Sequence, residues 1–202
     1  MGIHERKERE KSKMRKIILD TANKLFIEKG FESTSIRNIA GMIEYSPATI
    51  YLYFHDKNEI LFHLQERAFE NFTEKLNEFS FMKDHFSRLK KMSVLYIEFA
   101  AKNPAQYELL FYNNPYESTN PELIAPRTKI LNLLKDQINT TIYNNQFTRM
   151  PIDEAVTMVW SFLHGLSSFS MRNQLTYVPQ DEYNDHVGTL INRFYSHLKG
   201  SY

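Results

Sequence analysis

Cysteine is absent from this 202-residue chain, which excludes disulfides, thiolate metal sites and a cysteine nucleophile together. Glycine is scarce, at six residues. No stretch alternates apolar with polar residues as a half-buried strand would, so the chain reads as all-α. Long apolar runs are missing too. No segment approaches the roughly 18 apolar residues that read as a membrane span. The basic start (Arg6, Lys7, Arg9, Lys11, Lys13, Arg15, Lys16) leads into an amphipathic stretch rather than the apolar centre of a signal peptide. A cytoplasmic protein without a membrane partner is expected.

Strong net charge is lacking as well, at a formal +1. Divided after Lys57, however, the chain is uneven. Residues 1–57 hold 11 Lys+Arg against 8 Asp+Glu, while residues 58–202 hold 14 against 16. The basic excess is amino-terminal, and it is a mild pointer to a polyanionic partner. Enzyme signatures are missing: there is no glycine-rich phosphate loop, no Gly-x-Ser-x-Gly and no His-Glu-x-x-His. The histidines at 4, 55, 63, 85, 164, 186 and 197 have no paired metal-ligand spacing, and His63 with Glu66 is a pair that chance supplies. Neither catalysis, nor a cofactor, nor a metal is expected.

What is present is a core-forming 42% of hydrophobic residues arranged at helical spacing. Ile18, Ala22, Leu25 and Phe26 stripe a first helix at about 10–29, closed by Lys29-Gly30. Thr34 and Ser35 offer a cap for a short helix at 36–43 with Ile36, Ile39, Ala40 and Ile43 on one face. Ser46-Pro47 starts a third helix at about 47–53, because serine caps orphan amides and proline suits the first helical position. Asp56 caps a fourth, with Glu59 three residues on, running to about 79. Further helices are expected at about 84–102, 104–112, 122–146, 152–173 and 182–199, divided by Asn103-Pro104, a polar loop at 113–122, Met150-Pro151 and Val178-Pro179. The basic start, with Glu5, Glu8 and Glu10 interleaved, reads as a solvated, frayed end.

The third helix carries the functional signal. On a wheel, Ile50 and Phe54 share the side that can enter a small core, flanked by Pro47 and Tyr53. Ala48, Thr49, Tyr51 and Leu52 spread over the rest, and none is charged. A solvated face normally carries Lys or Glu. An uncharged one framed by tyrosines and followed by Lys57 suits insertion into a DNA groove, edge residues on phosphate and the centre on bases. With the preceding helix and the turn Glu44-Tyr45-Ser46 it makes a helix-turn-helix. Thr34 and Ser35 then present hydroxyls and free amides to a phosphate, with Arg37 in reach of the same strand.

The segment TSIRNIAGMIEYSPATIYLYFHDKNEIL, with the lead helix ILDTANKLFIEKGFESTS, resembles the DNA-binding region of the TetR family of bacterial transcriptional regulators over roughly residues 14–62. The resemblance implies an all-helical homodimer with a three-helix reading head (1–57) and a helical effector-binding and dimerisation domain (58–202), about nine helices in all. It implies repression of a quasi-palindromic operator, relieved by a small molecule. It also implies phosphate contacts from Thr34, Tyr51, Tyr53 and Lys57, and base contacts from Arg37, Ala48, Thr49 and Leu52; Ser35 and Ser46 are expected at the DNA interface with them. Glu44 departs from the family, which usually has glycine there. A left-handed residue at that point costs about 1 kcal/mol or more, so the turn is either strained or reshaped. Leu52 also departs, replacing a polar residue or histidine, and contact with a thymine methyl is the expected substitute.

The segments FAAKNPAQYELLF (99–111) and VWSFLHGL (159–166) are similar to a subgroup with Trp, His and Gly in the eighth helix, here Trp160, His164 and Gly165. An apolar or aromatic effector is expected near Phe99, Tyr107, Phe111, Tyr112, Trp160 and His164. Val187, Leu190, Ile191, Phe194 and Leu198 on the last helix, with Gly165 on the eighth, are expected to form a four-helix dimer interface. The rival readings are a helical protein–protein adaptor that kept the fold and lost DNA binding, and, more remotely, a small helical enzyme.

Overall fold

A computed structural model describes residues 2–111, 126–144, 150–171, 179 and 182–199. The described residues form nine helices and no strand: α1 (Ile3–Lys29), α2 (Ile36–Met42), α3 (Pro47–Tyr51), α4 (Lys57–Asn77), α5 (His85–Lys102), α6 (Pro104–Leu110), α7 (Pro126–Tyr143), α8 (Ile152–Met171) and α9 (Tyr183–Leu198). The polar loop expected at 113–122, and Tyr112, lie outside the described residues. None of the described helices is long and apolar enough to cross a membrane.

Most boundaries follow local chemistry. Gly30 ends α1 at φ 83°, a conformation open to a residue without Cβ, and its N–H donates to the Phe26 carbonyl at 3.0 Å. The Ser35 hydroxyl accepts from the Asn38 amide at 3.2 Å, and the Ser46 hydroxyl accepts from the Thr49 amide at 3.2 Å ahead of Pro47. At the start of α4 the Asp56 carboxylate accepts from the Glu59 amide at 2.9 Å. The Glu59 carboxylate reaches back to the amide of His55, one residue beyond the usual box.

Among the boundaries that differ from expectation, two have a clear local cause. The helix α1 begins at Ile3, well before residue 10. The interleaved charges explain this: Glu5 accepts from the Gly2 amide at 3.0 Å, and Arg6 pairs with Glu10 at 2.9 Å one turn on, so an exposed helix is supported without a core. The helix α3 stops at Tyr51 instead of 53, tightening into three-residue turns as Leu52 and Tyr53 donate to Thr49 and Ile50.

The chain forms two compact units, Met1–Glu70 with Glu108–Pro126, and Asn71–Tyr107 with Arg127–Tyr202. In the first, Ile18, Ala22, Leu25 and Phe26 of α1 meet Ile36, Ile39 and Ala40 of α2, Ile50 of α3 and the nearby Phe54. Ile60, Leu61 and Leu64 of α4 complete this core. Packing therefore divides inside α4, after Glu70, because the first half of α4 is part of the head's own core. Buried Gln65 donates from Nε2 to the carbonyls of Leu109 at 3.0 Å and Leu110 at 3.4 Å, capping the end of α6. In the second unit α5 packs chiefly on α8 and also on α9. Leu89, Ile97 and Ala100 of α5, Ala155 and Val159 of α8, and Ile191 and Tyr195 of α9 are buried there.

Candidate functional site

The first unit leaves the turn between α2 and α3, and the end of α3, exposed. Tyr51 is 56% exposed and Leu52 77% exposed, and Met42 and Tyr45 beside the turn are also exposed. Ser35, Arg37, Ser46 and Ala48 are exposed too. Thr49 is half-buried, its hydroxyl 3.0 Å from that of Ser46. Glu44 adopts φ 60°. The turn is thus strained and not reshaped, and a glutamate occupies a backbone conformation that glycine takes freely. Met42 and Tyr45 were not among the anticipated residues. The signal was available for Met42, since the buried face of α2 (Ile36, Ile39, Ala40) turns it outward.

Three anticipated phosphate contacts are placed differently. Thr34 is 2% exposed, and its hydroxyl donates to the Gly30 carbonyl at 2.9 Å, with the Leu25 carbonyl at 3.4 Å. The physical reason is a demand from the core: the carbonyls at the end of α1 need donors, and Thr34 supplies one. Lys57 Nζ donates to the Phe31 carbonyl at 2.7 Å and lies 4.1 Å from the centre of the Phe31 ring. Carbonyl and ring together offset the unfavourable macrodipole at the start of α4. Tyr53 is half-buried, and its carbonyl accepts from Arg15 Nη1 at 2.6 Å. The Arg15 guanidinium also sits 4.2 Å from the Phe54 ring centre, bracing the exit of α3 from α1, a contact no local pattern announces.

The second unit contains an apolar, partly open pocket of about 30 Å³. Phe72, Leu76, Leu89, Met92, Leu134, Trp160 and Leu163 are among its walls, with Ser93 and Tyr96. Of the anticipated effector residues, Trp160 lines it. The lining residue Tyr96 closes a ring with Tyr107 and His164: Tyr96 Oη to Tyr107 Oη at 2.9 Å, Tyr107 Oη to His164 Nδ1 at 2.6 Å, and Tyr96 Oη to His164 Nε2 at 3.2 Å. The Trp160 and His164 rings meet edge-on at 4.3 Å. Burial lowers the His164 pKa to about 4, so the imidazole is neutral at physiological pH. Phe99 packs on the wall residue Phe72 at 5.3 Å and is not itself among the lining residues. Phe111 is corrected: it packs edge-on to Phe69 at 5.8 Å in the other compact unit. Tyr96 was missed because its place on the buried stripe of α5 makes it indistinguishable from core in sequence.

The anticipated dimer residues separate by burial. Val187, Ile191 and Leu198 are buried within the single chain, which leaves them little to offer a partner and corrects that expectation. Leu190 and Phe194 are half-buried, and Phe194 stacks on Phe162 at 3.9 Å with the rings 3° from parallel. Gly165 is exposed, and a Cβ built there meets nothing within 4 Å of this chain. On the same stripe of α8 stand Met158, 44% exposed, and Phe169, 50% exposed, with Ser161 between. Among the described residues no three His, Asp or Glu side chains are grouped to hold a metal ion.

Comparison with known proteins adds a family. Residues 18–64 match the model described as bacterial regulatory proteins, tetR family, and residues 89–192 match the one described as tetracyclin repressor-like, C-terminal domain. An uncharacterized HTH-type transcriptional regulator of Bacillus subtilis (strain 168), YuxN, is 38% identical over 63 residues, which span 31% of this chain and only 22% of that protein. The fatty acid degradation regulator FadR of Bacillus halodurans superposes with a TM-score of 0.68 at 19% identity, covering 93% of this chain and 95% of that one. The ketosteroid transcriptional regulator KstR2 of Mycobacterium tuberculosis gives 0.64 at 15% identity, over 93% and 96%. At those identities the likeness is one of fold.

Proposed function

The chain belongs to the TetR family of bacterial transcriptional regulators, and on that premise we propose that it is a homodimeric repressor released from its operator by a small apolar or aromatic effector. It is a regulator and not an enzyme. The heads, within residues 1–57, would place α3 of each subunit in successive major grooves of a quasi-palindromic site. Residues 58–202 would bind the effector and pair the subunits. The observation that carries this reading is the uncharged, exposed tip of α3, where Ala48, Tyr51 and Leu52 project from a helix that Ser46 and Pro47 start in place. Such a surface gains by entering a groove and has no other use visible within its own unit.

The effector class rests on the apolar pocket beside Trp160. The Bacillus halodurans protein is a fatty acid degradation regulator and the Mycobacterium tuberculosis one a ketosteroid regulator, and fatty acids and steroids are largely apolar. The Trp160, His164 and Gly165 series supports the subgroup with those residues in the eighth helix. The helix α4 contributes residues to both compact units, so a tilt of its second half is passed along one continuous element. Release needs only that the effector favour the DNA-incompetent arrangement by about 1–3 kcal/mol. A regulator of this kind works where the chromosome is, in the cytoplasm.

The test is fluorescence anisotropy of the full chain on the duplex flanking its own gene, against a scrambled duplex, from low to physiological salt. Preference for the flanking duplex with a steep salt slope is the expected result. A persistent dimer that shows no preference and no salt dependence would instead favour the adaptor.

A further inference from the structure

We infer that the pocket of the second unit selects an uncharged amphiphile: a slender apolar body carrying one neutral hydrogen-bonding group, such as a hydroxyl, ketone, ester or amide, that meets the Tyr96 hydroxyl. This rests on the effector reading above and adds the chemistry of the effector's polar end.

The walls show why the body is apolar and slim. Phe72 and Leu76 of α4, Leu89 and Met92 of α5, and Leu134 and Leu163 surround a space of about 30 Å³, far below the range for small-molecule sites, so a ligand enters by parting these side chains. An unbranched chain parts these side chains least, whereas a branched or bulky ligand would have to displace more of the core.

The polar end is decided by Tyr96. Of the three lining side chains with a polar atom, the Trp160 indole can only donate, and Ser93 is committed inward, its hydroxyl donating to the Leu89 carbonyl at 2.8 Å and lying 2.7 Å from the Tyr195 hydroxyl. Tyr96 holds the ring with Tyr107 and His164, and its link to His164 Nε2, at 3.2 Å, is the longest of the three. A ligand oxygen or amide arriving at Tyr96 exchanges for that link and leaves the 2.6 Å bond between Tyr107 and His164 in place.

The surroundings also report what charge they tolerate. Burial pushes the Tyr96 and Tyr107 phenols up, against forming an anion, and the His164 imidazole down, against forming a cation. One site that penalises both signs is a region of low polarity rather than a site of fixed opposite charge. A carboxylate or ammonium head would meet the same penalty. Among the described residues the lining carries no formally charged side chain to offset it.

Trp160 is the chain's single tryptophan and lines the pocket, so its emission reports occupancy. The probes are octane, octanol, methyl octanoate, octanoate and octylamine, titrated into the full chain at neutral pH, with equilibrium dialysis as a second measure. Octanol and methyl octanoate are expected to bind at least about tenfold more tightly than octanoate or octylamine. Octanoate should gain affinity as the pH falls towards its own pKa and the neutral acid forms. Tyr96→Phe should weaken octanol about fivefold and leave octane unchanged, with helix content checked by circular dichroism. Octanoate or octylamine binding as tightly as octanol would overturn the uncharged-head assignment while the effector pocket stands. Equal losses of octane and octanol in Tyr96→Phe would show a packing role and overturn the hydroxyl assignment. If none of the probes binds by either measure, the effector pocket falls and this inference with it.

Discussion

Glu44 shows what a single residue costs and what it reveals. Its φ of 60° places a Cβ-bearing residue in the left-handed region, a strain of about 1–2 kcal/mol that glycine escapes at some cost in unfolded-chain entropy. Glu44→Gly is therefore expected to stabilise the protein by about 0.5–1 kcal/mol, read as a shift of the urea midpoint at constant slope. No gain would mean that the glutamate is compensated locally. Thr34 and Lys57 teach the complementary lesson, since type and position suggested phosphate while carbonyls at the end of α1 and at Phe31 claimed their polar atoms. His164 adds a pH dependence with a definite sign. Its folded pKa, about 4, lies below the ordinary 6.5, so the unfolded chain binds more protons between those values. Stability is complete above the ordinary value and falls as the pH drops through it towards 4. His164→Gln should flatten that fall, compared by urea melts at neutral and mildly acidic pH; identical pH profiles would show that His164 protonates without cost.

At the scale of elements, α3 is the instructive case. Five residues cannot hold a helix alone. The Ser46 cap, Pro47 at the first position, and the burial of Ile50 with Phe54 nearby do it, and they leave Ala48, Tyr51 and Leu52 outward. The signals for all of this are local, which is why the helix was legible. Tyr51→Ala is expected to weaken binding to the flanking duplex across sequences while leaving the salt slope nearly unchanged, since the lost phosphate-edge contact carries no charge. Leu52→Ala should instead relax preference at one base pair, costing about 1–3 kcal/mol there, measured by anisotropy on single-substitution duplexes. Wild-type behaviour in both would remove α3 from the interface. The early start of α1 was not legible in the same way, because its interleaved charges fit a solvated coil as well as a helix built from pairs one turn apart.

At the scale of the whole molecule, α8 carries the question of assembly. Met158, Ser161, Gly165 and Phe169 make an exposed stripe, with room for a Cβ at Gly165 in the lone chain. Pairing through this stripe, with half-buried Leu190 and Phe194 at its side, predicts that Phe169→Asp gives a folded monomer by sedimentation velocity. Operator binding should fall with it, because two half-sites are then no longer bound together. A dimer that survives Phe169→Asp unchanged would place the interface elsewhere. Val187, Ile191 and Leu198, chosen from periodicity alone, are buried in the subunit, since an apolar stripe does not say whether a neighbouring helix or a second copy covers it.

By itself the sequence determined the all-helical class, the order and approximate extent of the helices, the helix-turn-helix and its uncharged tip. Caps, prolines, the glycine at 30 and the spacing of apolar residues act within about one or two turns, so they can be read along the chain. Only the tertiary structure decided which polar atoms face inward and which aromatics share a pocket. Tyr107 and His164 bond across 57 positions and Tyr96 and His164 across 68, while Phe111, next to the same segment, packs in a different unit. Those outcomes depend on which surfaces the folded chain brings opposite one another, and no local pattern encodes that.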